Sequence, residues 1–391
     1  MTAKRIGILT GGGDVPGLNS VIKAVVQRSE QSGIEVVGIR RGWKGLTHIN
    51  PVGGSDPKYM LPLNRLNTRR VDRSGGTFLH STRTKPSRIN TSEIPRWLRR
   101  KVGSLREPEP GFVDLTPIVL DNLKKLDIDH LIAIGGDDTL SYARRLHDEG
   151  FPVVCVPKTM DNDVPNTEYC IGFSTAISRA VENISRQRTT VGSHERVGIF
   201  RVFGRDAGFT SLFTGYVTGI RCCIPEYVVD LERLLTLIKQ EKRDNPSNYA
   251  MIVLSEGARW EGYEVQEYGA PDAYGHRKKM SVGEALSQEV INRLGEETVV
   301  SDLTYDLRGG PPDFTDRLAA ITFASIAVEC IADGGSGRMV AVQNGCYVDT
   351  EIPGRDRKTR VVDVDSMYDT DNYLPMYGHK AGAPIFLNQL G

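Results

Sequence analysis

The sequence predicts an α/β protein whose mostly parallel sheets are covered by helices on both faces. Short apolar runs alternate with segments of helical periodicity through most of the 391 residues, as in parallel strands joined by right-handed helical crossovers. Turns rich in glycine and carboxylates directly follow several of these runs, and open α/β sheets bind ligands at the carboxyl ends of their strands. The length is enough for two domains of ordinary size.

The predicted elements begin with a strand–helix–strand unit at the amino-terminal end of the chain. A strand is predicted over 5–9, a helix from about Pro16 to Gly33 and a second strand over 35–39. Proline is favoured in the first helical turn, and the apolar positions recur on one helical face, at Leu18, Val21, Ile22, Val25 and Val26. A buried strand follows at 130–134, and helix–strand pairs are predicted at 138–149 and 152–156, 174–190 and 197–202, 230–243 and 249–254, 281–294 and 298–304, and 313–332 and 338–342.

Three regions interrupt this alternation. Residues 40–80 are rich in Gly, Asn and Arg and predict a hairpin near Gly75 and Gly76. Residues 88–113 are polar and basic, which predicts either a solvated loop or a regulatory insert at the surface. The polar tail after about 350 is expected to dock across a domain junction. Because no linker marks a boundary, we expect the chain to cross between domains near 165–172 and to return late.

Composition excludes several functional classes. Lysine and arginine together number 49, equal to aspartate plus glutamate, and this balance argues against nucleic acid as the main partner. No apolar stretch approaches the ~20 residues that cross a bilayer. The first residues lead directly into a strand-like run instead of a signal peptide, so we expect a cytoplasmic protein. None of the six cysteines has C-x-x-C spacing, which favours reduced thiols in the core.

The turn after the first strand contains three glycines, Gly11 to Gly13, followed by Asp14. Glycines let backbone N–H groups approach an anion, and the start of the next helix adds partial positive charge. The motif is neither a Walker A loop nor a dinucleotide fingerprint. It therefore predicts either a phosphate site or only a tight strand–helix turn.

The turn at 135–139 reads Gly-Gly-Asp-Asp-Thr. Asp137 offers a hard oxygen ligand suited to Mg²⁺, and Thr139 is expected to cap the following helix. The alternative is that both aspartates merely cap that helix.

The turn at 157–163 carries Lys158, Thr159, Asp161 and Asp163. A carboxylate here can accept the proton of a sugar hydroxyl whose oxygen attacks phosphorus, and a lysine can stabilise the transferring group. The alternative for Lys158 is a surface cation paired with one of the two aspartates.

The turns, their order and their spacing resemble those of the phosphofructokinase family. The resemblance covers most of the chain and includes Gly11-Gly12-Gly13-Asp14, Gly76–Arg83, Ile171–Ala176, Phe203-Gly204-Arg205, Ser255-Glu256-Gly257 and Arg308-Gly309-Gly310. It implies two Rossmann-like, three-layer α/β domains with the active site in the cleft between them. We expect a phosphoryl-donor domain over 1–168 with a late return over about 305–391, and a sugar-phosphate domain over 169–304.

The resemblance also implies roles for individual residues. Asp161 matches the catalytic base, and Asp137 and Asp163 match the Mg²⁺-associated carboxylates. The implied donor-binding residues are Gly12, Arg83, Arg88, Gly135, Asp138, Thr139 and Lys158; of these, Lys158 and Asp138 join Asp161 and Arg205 as expected catalytic residues. The implied acceptor-binding residues, besides Asp161, are Thr159, Arg196, Phe203, Gly204, Arg205, Glu256, Tyr305 and Arg308.

Arg196 resembles an arginine that crosses a subunit interface, so a homodimer or homotetramer is expected.

The chain also departs from the family pattern. Tyr305 replaces a histidine of bacterial ATP-using members, and Val299 stands where some members have another phosphate-binding arginine. Trp43 replaces a tyrosine that packs against adenine in some relatives, which does not decide the donor.

Two positions favour pyrophosphate as the phosphoryl donor. ATP-using relatives have glycine at position 138, which leaves room for the α-phosphate, whereas Asp138 adds bulk and negative charge. Two like charges ~4 Å apart repel by roughly 4 kcal/mol at an effective dielectric near 20, and exclusion by repulsion is a recognised route to specificity. Lys158 replaces a glycine of ATP-using bacterial relatives, and its ammonium can partner the compact donor.

The resemblance thus implies reversible, Mg²⁺-dependent phosphoryl transfer from pyrophosphate to the 1-hydroxyl of fructose 6-phosphate, giving fructose 1,6-bisphosphate and phosphate in glycolysis or gluconeogenesis. The alternatives are ATP as donor, or sedoheptulose 7-phosphate as a further acceptor. A non-catalytic regulatory subunit is disfavoured because Asp137, Asp161 and Asp163 are all present. A dinucleotide-dependent oxidoreductase is disfavoured because the G-x-G-x-x-G motif is missing.

Overall fold

The computed structural model describes residues 4–51, 56–263, 267–268, 278–354 and 357–376. The strands in these ranges are β1 Arg5–Thr10, β2 Glu35–Ile39, β3 Met60–Leu63, β4 Ile89–Asn90, β5 Phe112–Val113, β6 His130–Gly135, β7 Val153–Pro157, β8 Val197–Val202, β9 Arg221–Cys223, β10 Val228–Val229, β11 Ala250–Ser255, β12 Arg259–Trp260, β13 Glu267–Tyr268, β14 Lys278–Lys279, β15 Thr298–Asp302, β16 Arg338–Gln343, β17 Cys346–Glu351, β18 Tyr368–Asp369 and β19 Leu374–Pro375. The α-helices are α1 Leu18–Gln31, α2 Trp43–His48, α3 Arg65–Thr68, α4 Thr116–Lys125, α5 Asp137–Asp148, α6 Phe173–Ser193, α7 Phe209–Thr218, α8 Leu231–Asp244, α9 Val282–Leu294, α10 Tyr305–Arg308, α11 Phe314–Ala332 and α12 Val364–Met367.

A seven-stranded sheet has the order β17-β16-β7-β6-β1-β2-β3. Its five inner strands run parallel, and β3 and β17 pair antiparallel at the two edges. Successive strand residues point to opposite faces, so Ile8 and Ile132 join an apolar cluster with α1 and α11, whereas Leu9 and Ala133 join one with α4 and α5. The predicted α/β fold, with helices on both faces of a mostly parallel sheet, is therefore confirmed.

A second, fully parallel sheet has the order β15-β8-β11-β9. The polar tail returns to this sheet, because Tyr368 donates its hydroxyl to Cys222 O (2.6 Å) and Cys222 N donates to Tyr373 O (2.8 Å). This differs from the predicted assignment of all of 305–391 to the donor domain; residues 377–391 lie outside the described residues. We propose a division in which 338–351 belong with the first sheet and 368–376 with the second.

The predicted helix–strand pairs are all present, with boundaries that agree to within a few residues. Among the described residues, no helix combines the length and apolar character needed to cross a membrane.

The predicted hairpin at Gly75 and Gly76 is wrong. β3 pairs antiparallel with β2 instead, and no strand flanks the two glycines. A Cβ on Gly75 would lie 2.2 Å from Gly310 O, so this glycine allows close approach of a distant loop. Asn19 holds the same segment by donating from Nδ2 to Gly75 O (3.2 Å).

Residues 88–113 are not simply a solvated loop. Within them, β4 pairs antiparallel with β5, and Ile89, Leu98 and Val113 belong to a small apolar cluster of their own. Trp97 Nε1 donates to His48 O (3.2 Å) at the end of α2. The segment is therefore a docked substructure, and a regulatory role for it stays a prediction.

Asp316 on α11 stabilises the amino-terminal end of α6 from outside that helix. Its fully buried carboxylate accepts hydrogen bonds from Tyr169 Oη (2.6 Å), Gly172 N (2.7 Å), and both the N (2.8 Å) and Oγ1 (2.5 Å) of Thr175. Burial raises the pKa of Asp316 to about 6, whereas the hydrogen bonds that its carboxylate accepts act in the opposite direction and favour the charged form.

Replacing Asp316 with alanine is expected to lower the free energy of unfolding by about 3 kcal/mol or more, because buried donors left without a partner cost roughly 1–3 kcal/mol each. Urea denaturation would measure the loss. Asp333→Ala, an exposed change at the other end of α11, is the control and should stay within about 0.5 kcal/mol of wild type. Equal stability of the two variants would contradict this role for Asp316.

Candidate active site

Three turns meet at one edge of the first sheet, because β1, β6 and β7 are adjacent and parallel. Gly11 N donates to Ile134 O (2.9 Å), and Lys158 N donates to Gly135 O (3.0 Å). The predicted convergence of the glycine-rich and carboxylate-rich turns at the carboxyl ends of neighbouring strands is therefore present.

Two cavities adjoin these turns. The first, of about 410 Å³, is lined by Gly12, Asp137, Asp138, Thr139, Lys158 and Thr159 from the predicted set, and we call it the donor cavity. The second, of about 560 Å³, is lined by Asp163, Phe203, Glu256, Tyr305 and Arg308, and we call it the acceptor cavity. Arg83, Asp161 and Arg205 line both, so Asp161 lies where the two cavities meet.

Gly12 has a left-handed backbone conformation (φ 77°), which glycine adopts without strain. Its N–H donates to Thr82 O (3.1 Å). A Cβ here would lie 3.4 Å from Lys158 Nζ, so the bare backbone keeps space open beside the ammonium.

The predicted cap by Thr139 is wrong. α5 begins at Asp137, its N-cap is Gly136, and no side chain caps it. Thr139 is buried beneath two glycines, since a Cβ on either Gly11 or Gly135 would lie 2.3 Å from its side chain. Gly135 is therefore a packing residue, and its neighbour Gly136 lines the donor cavity instead.

Asp137 and Asp138 occupy the exposed first turn of α5, where the positive end of the helix dipole favours carboxylates. Partial burial, and then repulsion by Asp138, raises the pKa of Asp137, whereas Lys85 on the cavity wall opposes this rise. The two side chains give this end of the donor cavity a concentrated negative charge.

Lys158 is not the surface cation that the alternative described. It is 5% exposed, and its Nζ donates to Gly13 O at 2.7 Å. Burial, followed by the neighbouring Arg308 guanidinium, lowers the pKa of Lys158 to about 8. The donor cavity therefore has a buried ammonium in its wall.

Asp161 and Asp163 flank Asn162, whose left-handed conformation (φ 54°) sets the direction of the turn. Burial, and then repulsion by Asp163, raises the pKa of Asp161 to about 7. Burial also raises the pKa of Asp163, with a smaller contribution from Asp137. A carboxylate whose pKa is raised toward neutrality is a stronger base, as general base catalysis requires.

The carboxylates suit a Mg²⁺ ion that is bound partly through substrate. In the described ranges, no three His, Cys, Asp or Glu side chains converge as a complete metal cage. Mg²⁺ is commonly held by one or two carboxylates together with substrate phosphates. Burial raises the pKa of both Asp137 and Asp163, and a neighbouring carboxylate raises each further, Asp138 in the case of Asp137 and Asp137 in the case of Asp163. A bound divalent cation would relieve such repulsion.

Arg308 joins the donor and acceptor sides of the site. Its Nη1 donates to Asp14 O (2.9 Å), and its guanidinium lies 4.5 Å from the ring centroid of Phe203.

Gly204 adopts φ 122°, and a Cβ there would lie 2.6 Å from Ala207 O. Its role is therefore to shape the turn between Phe203 and Arg205.

Arg201 is an acceptor-cavity residue that sequence reasoning missed. Its guanidinium lies 3.2 Å from a Glu256 carboxylate oxygen and 3.5 Å from an Asp302 carboxylate oxygen, while Arg205 lies 3.8 Å from the other oxygen of Glu256. The sequence feature that could have identified Arg201 is its position as a charged residue inside the otherwise apolar strand β8. Lys85, Asp206 and Thr304 line the cavities as well, and no sequence pattern distinguished them.

Two predicted site residues lie elsewhere in the chain. Arg88 pairs with Glu109 (2.8 Å) and lies 3.9 Å from the Phe112 ring centroid, and contrary to the prediction it is not among the residues that line the donor cavity. Arg196 precedes β8 and pairs with Glu297 (2.7 Å), about 20 Å from the acceptor end of that strand at ~3.3 Å per residue. Its predicted passage into a partner subunit stays a prediction.

Val299 also differs from the pattern of some relatives. It lies in β15 opposite Gly198 and packs against the core, and it is not among the residues that line the acceptor cavity.

The chain is similar to known phosphofructokinases in sequence and in fold. A family model described as phosphofructokinase matches residues 5–331. The pyrophosphate–fructose 6-phosphate 1-phosphotransferase of Amycolatopsis methanolica is 39% identical over 342 residues, 87% of this chain and 90% of the relative. An ATP-dependent 6-phosphofructokinase 2 of Streptomyces coelicolor is 36% identical over 372 residues, 94% of this chain and 99% of the relative. The structure of a pyrophosphate-dependent phosphofructokinase from Nitrosospira multiformis has a TM-score of 0.72 at 18% identity, covering 96% of this chain and 89% of that one, and this likeness concerns the fold alone.

Proposed function

The chain is a member of the phosphofructokinase family, and from this premise we propose that it transfers phosphate from pyrophosphate to the 1-hydroxyl of fructose 6-phosphate. The observation that carries the proposal is the pair formed by Asp138 and Lys158 in the wall of one donor cavity. Relatives named for pyrophosphate are among the most similar curated proteins, at 34–39% identity.

Asp161 is the proposed general base. It lines both cavities, so its carboxylate can take the proton from a hydroxyl in the acceptor cavity as that oxygen attacks phosphorus in the donor cavity. The bond from phosphorus to the bridging oxygen of pyrophosphate breaks, and inorganic phosphate leaves. Lys158, Arg83 and Arg205 supply positive charge around the transferring group.

Asp137 and Asp163 are the proposed Mg²⁺-associated residues. When bound, Mg²⁺ would supply neutralisation of the negative charge on the donor oxygens. Arg308, Glu256 and Tyr305 are the proposed acceptor-binding residues, on the basis of their positions in the acceptor cavity.

Initial rates with fructose 6-phosphate test the proposal. Turnover with pyrophosphate should greatly exceed turnover with ATP and should stop when a chelator removes Mg²⁺. Faster turnover with ATP would overturn the donor assignment and favour the alternative suggested by the ATP-dependent relatives. The same assay with sedoheptulose 7-phosphate tests the breadth of acceptors.

Replacing Asp138 with glycine should raise kcat/KM for ATP by about tenfold or more, because removing even ~1.4 kcal/mol of repulsion changes affinity tenfold. Asp138→Asn keeps the volume but removes the charge, so it separates steric exclusion from electrostatic exclusion. Asp148→Gly, at the far end of α5, is the control. Unchanged ATP kinetics in both Asp138 variants would count against this residue as the selectivity element.

We also propose a homodimer or homotetramer in which Arg196 enters the site of a partner subunit. Exposed apolar side chains support an interface near the acceptor cavity, because Tyr305 is 82% exposed and Phe314 79% exposed, and Leu318 and Ile321 continue along the same face of α11. Large exposed apolar patches commonly mark protein–protein contacts.

A further inference from the structure

In the polar tail, Arg360 contacts the turn that carries Asp161 and Asp163. Arg360 Nη1 donates to Asn162 O (3.0 Å) and to Glu168 O (3.2 Å). The backbone N of Arg360 donates to Asp163 O (2.9 Å). One residue of the tail therefore binds three carbonyl oxygens of the segment 162–168.

Two of these carbonyls belong to Asn162 and Asp163, in the turn that carries the two carboxylates. Asn162 lies between Asp161 and Asp163 with φ 54°, a left-handed conformation that asparagine adopts more readily than most residues other than glycine. The Asn162 side chain restrains this turn, since its Nδ2 donates to Glu168 O (2.9 Å) and its Oδ1 accepts from Cys170 N (2.8 Å). Arg360 restrains the same turn by donating hydrogen bonds to its main-chain oxygens.

The same tail segment also binds the part of the chain that follows the acceptor residues. The Arg360 guanidinium lies 4.3 Å from the ring centroid of Phe209, the first residue of α7. Two residues further along, Val362 N donates to Glu226 Oε1 (2.8 Å), and the same oxygen accepts from Gly208 N (2.8 Å). Gly208 and Phe209 follow the acceptor-cavity residues Phe203 and Arg205 closely in sequence.

We propose that Arg360 is a positioning residue for phosphoryl transfer, which fixes the turn bearing Asp161 and Asp163 relative to the acceptor-binding segment. Arg360 is not among the residues that line the donor cavity or the acceptor cavity. It acts through the main chain of the turn that bears Asp161 and Asp163. This inference rests on the proposed role of Asp161 as the base. Catalysis depends on the distance between reacting groups, and a displacement of about 1 Å can lower the rate by about 10²-fold.

The test compares Arg360→Lys, Arg360→Met and the control Lys358→Met, which alters an exposed residue of the same tail. Lysine keeps the charge but cannot span two carbonyls while covering Phe209. We expect kcat to fall about tenfold in Arg360→Lys and about 100-fold in Arg360→Met, with the KM values for pyrophosphate and fructose 6-phosphate changing less than about threefold. Amide hydrogen exchange should accelerate in 161–170 in both variants, and Lys358→Met should match wild type in every measurement.

The outcomes distinguish positioning from general stabilisation. Normal kcat in Arg360→Lys and Arg360→Met would overturn the inference, as would a loss of activity that only follows the loss of folded protein. Faster exchange confined to 357–376 with normal kcat would also overturn it. Partial recovery of Arg360→Met by added guanidinium ion would support it. Because wild-type turnover is measured first, failure of the proposed function is recognised separately, as absence of wild-type activity with pyrophosphate.

Discussion

Replacing Asp161 with asparagine is expected to lower kcat by about 10²–10⁴-fold, the usual contribution of a general base, with modest changes in KM. Asparagine has nearly the same shape but cannot accept the proton of the attacking hydroxyl. Asp161 lies at the junction of the two cavities, so kcat/KM is expected to fall by the same factor whether pyrophosphate or the sugar phosphate is the varied substrate. Steady-state kinetics in both directions of the reaction would measure it.

A matched control for this variant is Asp206→Asn, because Asp206 lines the acceptor cavity without reaching the donor cavity. Its loss should alter the KM for the sugar phosphate more than kcat. If Asp161→Asn retained near-normal turnover, another residue would have to serve as the base.

Replacing Lys158 with methionine is expected to lower kcat/KM for pyrophosphate by about 10²–10³-fold, as for other preorganised groups that stabilise transition-state charge. Methionine fills a similar volume in this buried position but removes the ammonium. Lys85→Met is the control, since Lys85 is an exposed lysine in the wall of the same cavity. Equal losses in the two variants would show that only the general positive charge of the cavity matters.

The pH dependence provides a second measurement on Lys158. Its pKa is lowered from 10.5 to about 8, chiefly by burial, because burial disfavours the charged form. The ammonium is therefore present below pH 8 and is lost as the pH rises through that value, so kcat/KM for pyrophosphate should fall on the alkaline side. In Lys158→Arg this alkaline decrease should move to higher pH, since a guanidinium stays charged.

The sequence correctly predicted the helices and strands that are specified by the pattern of apolar and polar residues within one short segment. Hydrophobic periodicity predicted α1 and α6 and the strands before the catalytic turns, because the burial of one helical face or of a central strand is written into consecutive residues. Asp137, Asp161 and Lys158 could likewise be placed at one sheet edge, since adjacent parallel strands bring their following turns together.

Features that depend on distant segments could not be predicted in this way. Gly75 packs against Gly310, and Thr139 fills the space under Gly11, so the local turn and cap signals were outweighed by tertiary contacts. Arg88 was predicted at the donor side, but Glu109 and Phe112 in its own substructure bind it. Arg201 was missed because the carboxylates it contacts are distant in sequence: Glu256 directly follows β11, and Asp302 ends β15.

The strand order of the first sheet has a consequence for biosynthesis. β7 ends at Pro157, but its outer neighbour β16 begins only at Arg338. The second sheet draws its strands from the continuous stretch between β8 and β15. A nascent chain can therefore assemble the second sheet while β7 still exposes unpaired backbone groups, and unpaired strand edges promote aggregation. Ribosome-bound chains that end before β16 should consequently depend most strongly on chaperones.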